Sequence, residues 1–104
     1  MSIAHTAYFG DGDYAFRLTF PMLKELEQTT GAQSAPALFA RVFNRVCAVT
    51  DLHELIRCAL IGGGMAPKRA AELIAAYAVD RPLIEIQPLA ERIATVAYFG
   101  APNE

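Results

Sequence analysis

The chain has 104 residues, 54% hydrophobic and 19% charged side chains, and a formal net charge of −2. That balance excludes a disordered segment, and the length fits one domain, taken as residues 1–104. The 9 Lys and Arg are outnumbered by 11 Asp and Glu, which counts against sequence-independent binding to a polyanion.

Residues 3–19 read as a β-hairpin. Gly10-Asp11-Gly12-Asp13 supplies the positive φ and local side-chain bonding that a turn needs. With Phe9 opposite Tyr14, the residues Ala7, Phe9, Tyr14, Phe16 and Leu18 share one face. Thr6, Tyr8, Ala15, Arg17 and Thr19 share the other. A lone hairpin is marginal in water, so the apolar face must be covered.

The period then turns helical, over residues 21–100. Pro21 suits a helix start and Gly31 an end. Ser34 or Ala35 precedes Pro36 at the next start, and Leu38, Phe39, Val42, Phe43, Val46 and Cys47 follow as a core-facing stripe. Thr50 and Asp51 are candidate N-caps, with Glu54 completing a capping box. Leu52, Leu55, Ile56, Ala59 and Leu60 form a third stripe, which Gly62-Gly63-Gly64 stops at a tight helix-to-helix turn. Pro67 opens a fourth helix with Ala70, Leu73, Ile74 and Tyr77 on one face. Asp80-Arg81-Pro82 is a break. Gln87-Pro88 marks either the start of the last helix or a kink within one that begins near Pro82. Leu89, Ile93, Val96 and Ala97 line that helix, Gly100 ends it, and residues 101–104 should fray. The fold class is α+β, an N-terminal β-hairpin with about five helices packed on it.

No constellation of chemistry emerges. The triple glycine follows a helix, and Lys68 lies four residues past Gly64 with no Ser or Thr after it, unlike a phosphate loop. The helix after the turn carries Lys68, Arg69 and Glu72 but is otherwise short and apolar, a poor DNA-recognition surface. His5 and His53 lack partners at metal-ligand spacing. Asp11 and Asp13 are turn formers, without the distal ligands of a calcium loop. Lys24/Glu27, Glu54/Arg57 and Lys68/Glu72 have the spacing of solvated helix pairs. Cys47 and Cys58 belong to no C-x-x-C pair and read as reduced, buried or half-buried thiols. The N-terminus has no basic and apolar signal pattern, and no run is long enough to span a membrane. A soluble, cytoplasmic protein is expected. Apolar side chains are abundant, with Phe39, Phe43, Tyr77, Tyr98 and Phe99 beside the aliphatic stripes. They fill the core, and a share of them is free to form a groove for a partner helix.

Taken in order, five segments resemble a known family. They are Phe9-Gly10-Asp11-Gly12, Leu26-Glu27 with Gly31, Arg57-x-x-Leu60-Ile61-Gly62-Gly63-Gly64, Arg81-Pro82-Leu83, and an alanine-rich helix ending Phe99-Gly100. The family is the gene-transfer-agent group of phage tail proteins, described as tail-assembly chaperones and sometimes as tail tube proteins. The resemblance implies a non-enzymatic protein of a prophage or gene transfer agent, working in the bacterial cytoplasm or associated with the virion. Its implied partners are the tape-measure protein and tail tube subunits, with a homo-oligomer compatible and neither nucleic acid nor membrane. It implies no cofactor and no metal. Arg57, Gly62, Gly63, Gly64, Arg81 and Pro82 are the signature positions, expected to hold the fold. Two alternatives stay open: a structural tube component retained in the particle, and a small helix-turn-helix DNA-binding regulator.

Overall fold

The structure is a computed structural model and describes residues 2–101. Strands β1 (Ala4–Phe9) and β2 (Gly12–Arg17) form an antiparallel hairpin. Helices α1 (Phe20–Thr30), α2 (Ala35–Phe43), α3 (Val49–Gly62) and α4 (Pro67–Tyr77) follow, then a short 3-10 helix (Leu83–Glu85) and α5 (Gln87–Phe99). The α+β class is as expected. Of the expected frayed tail, residues 102–104 lie outside the described residues. Ala101 is tied down, because its N–H donates to the Ser2 carbonyl at 2.8 Å.

The hairpin register differs from expectation by two residues. Phe9 pairs with Gly12, Ala7 with Tyr14 and His5 with Phe16. The loop is therefore Gly10-Asp11 alone, with Gly10 at φ +69°, glycine at the first central position of a tight hairpin turn. A slip of two preserves the faces, since side chains alternate with period two. Phe9, Phe16 and Leu18 are accordingly buried, while Thr6, Tyr8, Ala15 and Arg17 are exposed. Phe9 meets Phe16 and Tyr77 edge-on, at ring-centroid distances of 6.3 and 6.4 Å.

Helix α3 is the hub and touches α1, α4, α5 and β2, while α5 also lies against β1 and α2. Its stripe Leu52, Leu55, Ile56, Ala59 and Leu60 is buried, together with Cys58. The helix starts earlier than expected. Val49 is its first residue and Asp51 its third, so Thr50 and Asp51 are inside the first turn. Asp51 Oδ2 accepts from the Ala48 N–H at 3.0 Å and from Arg41 at 3.3 Å, one arm of a capping box; Ala48 has no side-chain acceptor for the other. Glu54 instead binds Arg57 at 2.7 Å.

Helix α2 also ends sooner than its apolar stripe suggests. Ser34 caps its start by accepting from Ala37 N–H at 3.1 Å. At its end Val46 N–H donates to Arg41 O at 2.9 Å and Arg45 N–H to Val42 O at 3.1 Å, with Arg45 at φ +57°. That is a Schellman motif with arginine where glycine is usual. Val46 consequently leaves the helix and is exposed, and Phe43 is partly exposed. Of the expected helix pairs only Glu54/Arg57 forms an ion pair among the described residues. Lys24 sits over the Phe20 ring and Glu27 accepts from Ala35 N–H at 2.7 Å.

Candidate protein-docking surface

The triple glycine serves two separate purposes. Gly64 has φ +114°, and its N–H donates to Ile61 O at 3.0 Å while Met65 N–H donates to Leu60 O at 3.0 Å. This is a second Schellman stop, so positive φ belongs to Gly64. Gly63 lies in the right-handed region, at φ −81°. It is small for another reason. A Cβ on Gly63 would lie 2.0 Å from Ala15 O, and one on Gly62 would lie 1.8 Å from Arg17 O. The end of α3 rests directly on the backbone of β2.

Arg57, a turn earlier, is mostly buried and fastens α3 to α1. It donates to Glu54 at 2.7 and 2.9 Å and to Glu25 at 3.3 Å. Its hydrogen bond holds the Glu54 carboxyl below the usual carboxylate range, ahead of its bare charge. Arg57 and Gly62 thus lie on one helix, with Gly63 and Gly64 at its exit. Arg81 and Pro82 lie elsewhere, at the entry to the 3-10 helix, where Arg81 pairs with Glu85 at 3.2 Å on the surface.

Among the described residues no group of three His, Cys, Asp or Glu could hold a metal ion. Arg69, near the start of α4, is engaged by Asp11 of the hairpin turn at 2.6 Å. That contact withdraws one of the cations a DNA-binding helix would present. Among the described residues no helix is long and apolar enough to cross a membrane.

What the surface offers is apolar. After α4, Asp80 adopts φ +60° and Pro82 starts the 3-10 turn. Ile86 then plunges into the core, leaving Leu83 half exposed and Ile84 76% exposed. The five residues between Pro82 and Pro88, three of them in the 3-10 turn, cannot direct Leu83, Ile84 and Ile86 to one side. Leu83 and Ile84 form one wall; the other is formed by Cys47, in the link after α2, and Val49, the first residue of α3. Between the two walls lies an open cleft of about 330 Å³, floored by Leu52. A polar brace fixes its width. Gln87 donates to Val42 O at 3.0 Å and to Glu91 at 2.8 Å, and Glu91 accepts from Arg45 at 3.2 Å. Gln87 first, and Arg45 second, hold the Glu91 carboxyl below its ordinary range.

A second patch occupies the other end of α5. Tyr98 is 57% and Phe99 63% exposed, with ring centroids 4.9 Å apart. With Pro36 and Phe43 they border a hollow of about 240 Å³. Of the five aromatics read as core or groove, Phe39 is buried and Tyr77 half-buried, while Phe43, Tyr98 and Phe99 reach the surface. The sequence reading missed Leu83 and Ile84. Their signal was two adjacent aliphatics confined between prolines, too short a segment to bury both.

A family model described as "Phage tail tube protein, GTA-gp10" matches residues 2–100. No curated protein and no solved structure matches the chain.

Proposed function

We propose, for a chain that belongs to the GTA-gp10 phage tail tube protein family, that it works by docking another tail protein and performs no chemistry of its own. The observation that carries this is the braced cleft walled by Leu83, Ile84 and Val49. Its volume of about 330 Å³ admits a few side chains from one face of an amphipathic helix, the helix-in-groove mode. The finer reading is a tail-assembly chaperone that shields the long helical tape-measure protein in the host cytoplasm until tube subunits displace it. Such a role needs exchangeable contacts, and a small cleft gives them. In this reading residues 1–104 act as one domain. Arg57, Gly62, Gly63 and Gly64 hold α3 in place, while Arg81 and Pro82 launch the turn that presents Leu83 and Ile84.

Co-expression with the tape-measure protein tests this. The wild type should yield a soluble complex. Ile84→Asp should weaken it by about tenfold or more, as for a central apolar anchor, with an unchanged melting temperature because Ile84 is exposed. Undiminished co-purification of that variant would refute the cleft as the docking site. The family's own description favours a second reading, a tube component retained in the particle. Purified mature particles decide: the chaperone is absent from them and the tube component is present in stoichiometric amount.

A further inference from the structure

The two edges of the hairpin are not equivalent. In a hairpin closed by a two-residue loop, the pair flanking the loop exchanges hydrogen bonds, and exchanging pairs then alternate with outward-facing ones. Given the register, Phe9/Gly12, Ala7/Tyr14 and His5/Phe16 bond to each other. The backbone groups of Asp13, Ala15 and Arg17 therefore point off β2, and those of Ala4, Thr6 and Tyr8 point off β1. The β2 edge is closed, because the Ala15 and Arg17 oxygens are the atoms that Gly63 and Gly62 approach. The β1 edge is not. Among the described residues Ala4 N–H finds the Ser2 hydroxyl at 3.0 Å, and no bond outside the ladder reaches Thr6 or Tyr8.

Exposed edges are normally blunted by charge, proline or a bulge. Ala4-His5-Thr6-Ala7-Tyr8-Phe9 has no Lys, Arg, Asp, Glu or Pro, and its pairing with β2 is unbroken. Thr6 is exposed and Tyr8 is 68% exposed.

We propose that β1 pairs antiparallel with β1 of a second copy about a two-fold axis at Thr6, joining the hairpins into one continuous sheet. A second copy is the occupant because the edge is self-complementary. Centring on Thr6 sets Thr6 against Thr6 and Tyr8 against Ala4, so that a threonine pair and an aromatic over a small residue face each other, with no like charges opposed. Thr6 N–H donates to Thr6 O in both directions. Tyr8 N–H donates to Ala4 O in both directions, leaving the Ala4 N–H on Ser2. With β2 closed by α3, a copy has one edge to offer, so pairing stops at two and does not run on into a filament. This inference does not rest on the tape-measure reading.

The test is sedimentation and hydrogen exchange on the full chain across a concentration series. The wild type should pass from the 11.3 kDa monomer to twice that mass, with protection of the Thr6 and Tyr8 amides rising in step. Thr6→Pro removes only an outward N–H, a position an edge strand tolerates, and should raise Kd about tenfold or more through the two lost hydrogen bonds. Thr6→Lys and Thr6→Glu leave the backbone intact. Each should be monomeric alone, and an equimolar mixture should dimerise. Circular dichroism checks that each variant is folded. A monomer at all concentrations, with Thr6 and Tyr8 amides exchanging freely, overturns the proposal. So does a dimer that the Lys variant leaves intact. Protection of those amides only on adding a different tail protein also overturns it and assigns the edge to that partner.

Discussion

Gly62→Ala separates two opposed effects by sign. Gly62 is the last residue of α3, and in an unobstructed helix alanine is favoured over glycine by about 1 kcal/mol. Here the added methyl would sit 1.8 Å from Arg17 O, a backbone atom that no rotamer change can move. Restoring an ordinary contact requires the helix end and β2 to part by more than an ångström. That loosens the core that Ile56 and Leu60 share with Phe16 and Leu18, all fully or almost fully buried. Overpacking of this kind costs about 1–3 kcal/mol and occasionally more, and the backbone obstacle puts this site at the upper end. The net expectation is a loss of about 2 kcal/mol, or a fall of about 10 °C in Tm for a domain of this size. Urea unfolding followed by circular dichroism measures it, with an unchanged m-value as the check that only stability moved. Gly64→Ala is the control, since nothing lies within 4 Å of its added carbon and only the strained φ remains, about 1–2 kcal/mol. A Gly62→Ala midpoint equal to or above wild type would refute the close approach of α3 to β2.

Arg45→Gly should stabilise the protein. It relieves about 1–2 kcal/mol of left-handed strain and adds about 0.5–1 kcal/mol of unfolded-chain freedom, a net gain of about 0.5–1 kcal/mol by thermal melting. The Arg45–Glu91 pair it removes is solvent-exposed on the arginine side and contributes little. A second expectation concerns acid. Glu54's folded pKa is depressed chiefly by the Arg57 hydrogen bond. The unfolded chain therefore takes up that proton first, and stability drops as pH falls below about 4.5. Arg57→Met should flatten this limb of a stability-against-pH curve, and an unaltered slope would remove Glu54 as its source. Thiol labelling should distinguish the cysteines. Cys58 is fully buried, and burial pushes its thiol up to about 11, so it should react only on unfolding. The half-buried Cys47, whose thiol burial also raises, should label first, in the native state.

Local pattern alone determined the order of elements. The period-two and helical apolar spacings put Phe9, Phe16, Leu38, Leu55, Leu73 and Ile93 in the core, and Pro36, Pro67 and Gly31 marked helix ends within a residue or two. These signals are local, because each depends on a single element having one wet and one dry side. Tertiary contacts decided the rest. Arginine and aspartate took the left-handed positions at Arg45 and Asp80, where sequence offers no glycine to flag the stop. Gly62 and Gly63 are small because a strand more than forty residues earlier in the chain presses on them, which no helix propensity encodes. The cleft exists only where the exit of α2 meets the 3-10 turn. Which aliphatics stay dry depends on how much neighbouring surface remains to cover them, and that is settled when the elements pack together.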